Sequence, residues 1–226
     1  MTLVFSAPTV IALLKAKDTD KDDFTRRVVV GGMGVPKADA DRTYPVHGQD
    51  SGEALEFRKA GHATMIEFLL SSTAVNALTS KFMEKLDEEL AKAECTDDWA
   101  EINLVDWVRV KMFSASVVAL MGSRIVEMIP DFNKMYWWFD NNLLAMFYGI
   151  PKFIKPEPYI ARQRILDGVE GWMTRMLDDC GGEPSLEGEW EPSFGAKVIR
   201  ARQRMFIKYN LSMRARAGLE LGFLFG

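Results

Sequence analysis

Two histidines and two cysteines are the side chains here best suited to holding a metal or making a covalent bond. Neither His47 nor His62 has a second ligand at a metal-binding spacing, so no metal site is expected. Cys95 and Cys180 have no spacing partner. Two cysteines do not make a disulfide scaffold in a chain of 226 residues, so lone buried thiols in a reduced compartment are expected. No Gly-x-Ser-x-Gly elbow and no Walker-type phosphate loop occurs. Asp18, Asp20 and Asp22 alternate as calcium ligands would, but Asp23 occupies the glycine position of such a loop and Val29 its closing glutamate. VVVGGMG, from Val28 to Gly34, has the glycines of a dinucleotide fingerprint without the helix that must follow. The next stretch, VPKADADRTYPVHGQDSG, carries Pro36 and Pro45 and reads as loop. No catalytic residue is expected from spacing alone.

The elements that could position a site are helical. Hydrophobic residues make up 48% and charged residues 27%, a globular balance, and a net charge of -4 with dispersed basic residues gives no reason to expect a nucleic-acid partner. No apolar run reaches the ~20 residues of a membrane span, and the start lacks the basic region of a signal peptide. Ser6 to Lys17 reads as a short helix with Val10, Ile11, Leu13 and Leu14 on its buried side. Met65, Leu69, Val75, Leu78, Phe82, Leu86 and Leu90 recur at helical spacing, predicting core-facing amphipathic helix between Gly52 and Lys92.

Asp98–Ile125 is expected to be the central, buried helix, capped by Asn103 and stopped by Gly122. The next helix, from Pro130–Asp131 to Gly149, holds Phe132, Tyr136, Trp137, Trp138, Phe139, Phe147 and Tyr148. A packing seam and a ligand-pocket wall both fit so much aromatic surface. Pro156 and Pro158 open a long helix to Cys180. Residues 181–193 read as an exposed linker. Phe194 to Asn210 is a basic amphipathic helix, for which a solvated face is the commoner meaning and a membrane surface the other. Ser212 caps a last helix whose Gly218, Gly222 and Gly226 clear one face for close approach. Its uncapped apolar end is expected to continue. The pattern predicts an all-α, orthogonal helical fold with little or no sheet, with residues 1–226 forming a single incomplete domain.

The order of these elements resembles the amino-terminal half of a cytochrome P-450, a heme-thiolate monooxygenase, in particular fungal members related to the sterol 7α-hydroxylase and prostacyclin synthase branch. HATMIEFLLSSTAVNALTSKFMEKLDEEL resembles the family's C helix. DWAEINLVDWVRVKMFSASVVALMGSRI resembles the lead into its D–E region, with a pattern at Phe113, Ala115, Ser116, Leu120 and Gly122. RARAGLELGFLFG resembles the first half of the I helix. The resemblance implies a partial P-450 fold from the B to the early I helices. In it the helices from Asp131 and Pro156 are F and G, and the Val28–Gly52 loop contacts substrate.

The same resemblance implies heme as cofactor, a lipophilic small-molecule substrate and an electron-donating reductase. It also implies an endoplasmic reticulum location on the cytosolic face. Gly222 and Gly226 would let the I-helix backbone approach heme, with packing as the equal alternative. The family's Phe-x-x-Gly-x-x-x-Cys-x-Gly loop, Glu-x-x-Arg pair and C-helix Trp-x-x-x-Arg are not in this sequence. His62 or Lys59 is implied in place of the last, to hold a heme propionate. Without the axial cysteine no turnover is expected from this chain alone. The other reading is a non-enzymatic helical interaction module that meets a partner through the aromatic and glycine-faced helices.

Overall fold

A computed structural model describes residues 6–15, 22–46, 51–92 and 101–224. They form α1 (Ala7–Lys15), α2 (Asp22–Arg27), α3 (Lys37–Thr43), α4 (Gly52–Met65), α5 (Ser72–Ala91), α6 (Leu104–Met121), α7 (Arg124–Met128), α8 (Phe132–Phe147), α9 (Glu157–Asp179), α10 (Lys197–Lys208) and α11 (Met213–Phe223). Single π-helical turns at Val28–Gly32 and Ile66–Leu70 extend α2 and α4. The described sheet is one antiparallel hairpin, β1 (Trp190–Glu191) with β2 (Gly195–Ala196). The mainly-α expectation stands. So do the caps: Asn103 Oδ1 accepts from the Asp106 amide at 3.3 Å and Ser212 Oγ from the Ala215 amide at 3.2 Å. Gly122 and Gly149 end α6 and α8 with φ of +93° and +68°.

The hub is not the helix that the apolar run suggested. In α9 nine residues are buried, among them Ile165, Leu166, Val169, Trp172 and Met173, against four in α6. Only the carboxy-terminal half of α6 is enclosed. Leu104, Val105, Val110 and Met112 stay exposed, while Arg109 reaches Trp137 of α8 and Lys111 reaches Glu89 of α5. The α9 stripe meets α8 on one side and α11 on the other. There Phe132, Phe139, Leu143, Met146, Ala217 and Leu221 complete the main core. Burying each large apolar side chain there contributes about 1.5–3 kcal/mol. The aromatic helix α8 is therefore a packing seam, with Phe113 lying 4.2 Å from Tyr136 and 5.0 Å from Trp137, centroid to centroid.

Other expectations need correction. Val10 and Ile11 are exposed, so α1 has no buried side at these positions. The proline-bearing stretch after Gly34 is not all loop: α3 lies within it, started by Pro36, and Asp39 and Thr43 are buried. The stripe of α5 is only half covered, and none of its residues is fully buried. Cys180 is exposed rather than buried, because it sits where α9 gives way to a Gly181–Gly182 turn.

The basic face of α10 is not wholly solvated. Arg200 is fully buried, and its guanidinium donates to the carbonyls of Ser185, Glu187 and Gly188 at 3.0, 2.7 and 2.8 Å. Residues 181–193 are exposed at most positions, yet Arg200 fixes their course. The hairpin, whose first strand closes this stretch, crosses the end of α6 at close quarters. A Cβ on Gly195 (φ +65°) would lie 2.4 Å from the Gly122 nitrogen and the Leu120 oxygen. Two backbones touch here, and only glycine fits.

Candidate functional site

Ser51 caps α4, its Oγ accepting from the Ala54 amide at 3.1 Å. The helix then places Phe57, Arg58, Gly61, His62 and Met65 on one face. That face meets Arg202, Met205 and Phe206 of α10 and Leu219 of α11, with Tyr44 closing the end. Between them lies a cavity of about 210 Å³. Its floor is apolar and aromatic: Phe57 stacks on Phe206 at 6.4 Å and meets Tyr44 edge-on at 5.9 Å. Arg42 ties the walls together, donating to Glu53 at 2.5 Å and to the Tyr209 carbonyl at 2.8 Å.

On the polar side of this cavity Arg202 is well fixed. Arg202 Nε donates to Glu220 Oε2 at 3.0 Å and Nη2 to the Leu219 carbonyl at 3.1 Å. Its guanidinium lies 5.1 Å from the Phe206 ring and 4.5 Å from the Phe223 ring. Glu220 is completely buried and also accepts from Gln203 Nε2 at 2.9 Å. Burial pushes the Glu220 carboxyl above its ordinary range, against the pull of Arg202 and Gln203. Burial likewise raises the Tyr44 phenol, opposed by the nearby Arg202 and Arg58. A half-open cleft with aromatic rings in its floor and the Arg202 guanidinium in its wall suits a carboxylate carried on an apolar body.

His62 is exposed and lines this cavity together with Arg58, Gly61 and Arg202. Gly222 is not among the residues lining this cavity. A Cβ there would sit 3.4 Å from the Met33 side chain, and one on Gly218 would sit 2.7 Å from the Met33 carbonyl. The glycine face of α11 does admit close approach, and what approaches is the chain after the first π turn. Gly226, His47 and Cys95 lie outside the described residues. Sequence reasoning missed Arg202 and Glu220. Their only signal was a charge on each of two neighbouring helices, and which charges meet depends on how the helices cross.

In the main core, Tyr136 donates to the Leu224 carbonyl at 3.3 Å, and its phenol is pushed up to about 12 by burial and by Asp140. Arg109 lies 3.6 Å over the Trp137 ring. These contacts anchor the end of α11 and the α6–α8 junction. They add no reactive group.

No family profile matches the chain, and no solved structure matches it. Curated relatives do. It is 31% identical over 170 residues to cytochrome P450 monooxygenase calL of Penicillium decumbens, covering 73% of this chain and 31% of calL. It is 25% identical over 167 residues to cytochrome P450 monooxygenase fsoE of Humicola fuscoatra, covering 71% and 29%. To cytochrome P450 monooxygenase efuG of Hormonema carpetanum it is 25% identical over 163 residues, covering 69% and 29%.

The chain belongs to the cytochrome P450 family. It spans less than a third of the length of these relatives. Heme fits the P450 chain in one respect and not in another. The donor set of the α4–α10–α11 cavity suits a carboxylate edge, although about 210 Å³ is too small to enclose a tetrapyrrole. An axial thiolate is not provided by the described residues. Cys180, exposed at the end of α9, has its thiol pushed up chiefly by burial against its few neighbours, which favours the neutral form. No described helix is long and apolar enough to cross a membrane.

Proposed function

We propose that this chain is the amino-terminal part of a single domain in a heme-dependent monooxygenase, which inserts one atom of dioxygen into a lipophilic small molecule. Electrons come from a reductase, and the whole protein works at the cytosolic face of the endoplasmic reticulum. The observation that carries this reading is the relationship to three P450 monooxygenases over some 70% of the chain. Bound heme supplies the oxygen chemistry. This chain's residues bind and exclude water. His62, with Arg58 and Arg202, faces a carboxylate edge of the cofactor, and the apolar wall of Phe57, Met65 and Phe206 keeps water from it. Gly222 and Gly226 are the proposed points of backbone approach, Gly222 being covered by the flexible side chain of Met33.

The test uses the full-length protein, whose gene is read on past Gly226. Reduced and treated with carbon monoxide, it should show the thiolate Soret band. This chain alone should not, because it lacks the cysteine loop. A full-length protein without that band sinks the reading. His62→Ala should lower heme content per protein several-fold while leaving the circular dichroism of the apoprotein unchanged.

The second reading, a helical interaction module, is favoured by the exposed Tyr148, Phe153 and Ile154 between α8 and α9, with Phe153 87% exposed. A stop codon directly after Gly226, with a clean monomer and a sharp melt, would select it.

A further inference from the structure

A buried salt bridge joins the two helices that close the cavity: Arg202 Nε of α10 donates to Glu220 Oε2 of α11 at 3.0 Å, and Glu220 has no exposed surface. We infer that Arg202 of α10 is the carboxylate anchor of the cavity between α4, α10 and α11, and that Glu220 of α11 is its positioning residue. The inference deepens the monooxygenase reading at the same site and names the chemistry recognised: a carboxylate on an apolar body.

Three observations support it. First, Arg202 lines the cavity, although its stem and head are tied into the interior. Its Nε and Nη2 are held by Glu220 and the Leu219 carbonyl, which leaves Nη1 as the nitrogen with donors to spare. Second, the guanidinium lies between Phe206 and Phe223, so its plane is fixed before any ligand arrives and little rotamer freedom is lost on binding. Third, Glu220 is wholly buried and has a second donor in Gln203, so its position does not depend on solvent or ligand. A carboxylate held this way fixes the guanidinium in place while leaving one edge of the fork free. His62 and the raised Tyr44 hydroxyl add donors on the facing wall, and Phe57, Met65, Met205 and Leu219 surround the apolar body.

The carboxylate has two sources, a porphyrin propionate or the acid group of a lipophilic substrate. Binding to this chain is measured by quenching of tryptophan fluorescence, with four probes: protoporphyrin IX, its dimethyl ester, decanoate and methyl decanoate. Acid should bind about tenfold or more tightly than the matching ester, the worth of a hydrogen bond to a charged group. Preference with the porphyrin pair alone assigns the site to the cofactor, with the decanoate pair alone to substrate, and with both to either. Each of these supports the anchor. No preference in either pair overturns it.

Deleting Arg202 alone would strand Glu220 in the interior and unfold the protein, so the diagnostic variant is Arg202→Met with Glu220→Met, which replaces the pair by apolar groups of similar length. It should melt within a few degrees of wild type and bind acid and ester alike. A retained preference in the folded double variant overturns the inference. Glu220→Gln tests positioning. It keeps shape and packing yet should lower the acid-to-ester ratio several-fold, and Glu220→Asp should restore part of it. An unchanged ratio in Glu220→Gln removes Glu220 from the proposal. The monooxygenase reading fails separately, by absence of the thiolate band in the full-length protein, whatever these ratios are.

Discussion

The two longest helices, α9 and α5, have the same kind of sequence and different fates. Each repeats apolar residues at three and four positions, and each carries charge on the other face. In α9 the stripe is enclosed by α8, α10 and α11, and Trp172, Val169 and Ile165 have no exposed surface. In α5 the stripe packs mainly against α6, with Leu78 reaching the edge of the main core, and Val75 and Leu90 stay 44% and 38% exposed. Periodicity determines which face a helix buries. How deeply it is buried depends on how many neighbours arrive. The well-packed half also holds the buried Arg202–Glu220 pair and the Arg200 clamp. The acids of α5, Glu84 and Glu88, face solvent, while their partners Lys81 and Lys85 lie over the Trp190 ring at 4.6 and 5.8 Å.

Substitutions can break or sharpen this contrast. The largest effect is expected from Ala115→Asp, which puts an unpaired charge at a fully buried position in the enclosed half of α6. Soluble expression should be lost, and unchanged solubility would show that this end of α6 is not enclosed. Trp172→Ala in α9 should cost about 3–5 kcal/mol in a denaturant melt. Gly195→Ala should cost about 3 kcal/mol, since it combines a left-handed backbone with a clash against the end of α6. A variant with a wild-type midpoint would mean that the hairpin moves aside freely.

A pH series tests the buried carboxylate. The folded pKa of Glu220 is raised above its ordinary value of 4.5, so its contribution is fully present below that pH and is lost as pH rises through the folded value. The stability of wild type relative to Glu220→Gln should therefore fall on going from pH 4.5 towards neutrality. A difference that grows instead would mean that Arg202 outweighs burial. The smallest effect is expected at Phe82→Ala in α5, about 1 kcal/mol or less, because its ring is only partly covered. A cost equal to that of Trp172→Ala would abolish the contrast between the helices.

Much of the fold was legible without coordinates. The order of the major helices, the caps at Asn103 and Ser212 and the stops at Gly122 and Gly149 follow from local chemistry, in which a side chain or a glycine satisfies the backbone within a turn. The family resemblance was legible as well, from core residues such as Phe113, Ala115 and Gly122. Less was legible of the site. His62 was singled out, but its neighbours Arg58, Tyr44 and Arg202 come from other turns or other helices. The glycine face of α11 was recognised, but not that Met33 would fill it.

The sequence by itself determined which residues become helix, where each helix stops and which face of it is apolar, because these depend on interactions within about one turn. Tertiary structure alone decided that α9 rather than α6 is the hub and that Arg200 is buried against three carbonyls. It also decided that Arg202, paired with Glu220, lines the same cavity as His62. Those outcomes depend on how helices distant in sequence cross, and two charges separated by a chain reversal carry no local record of whether they will meet.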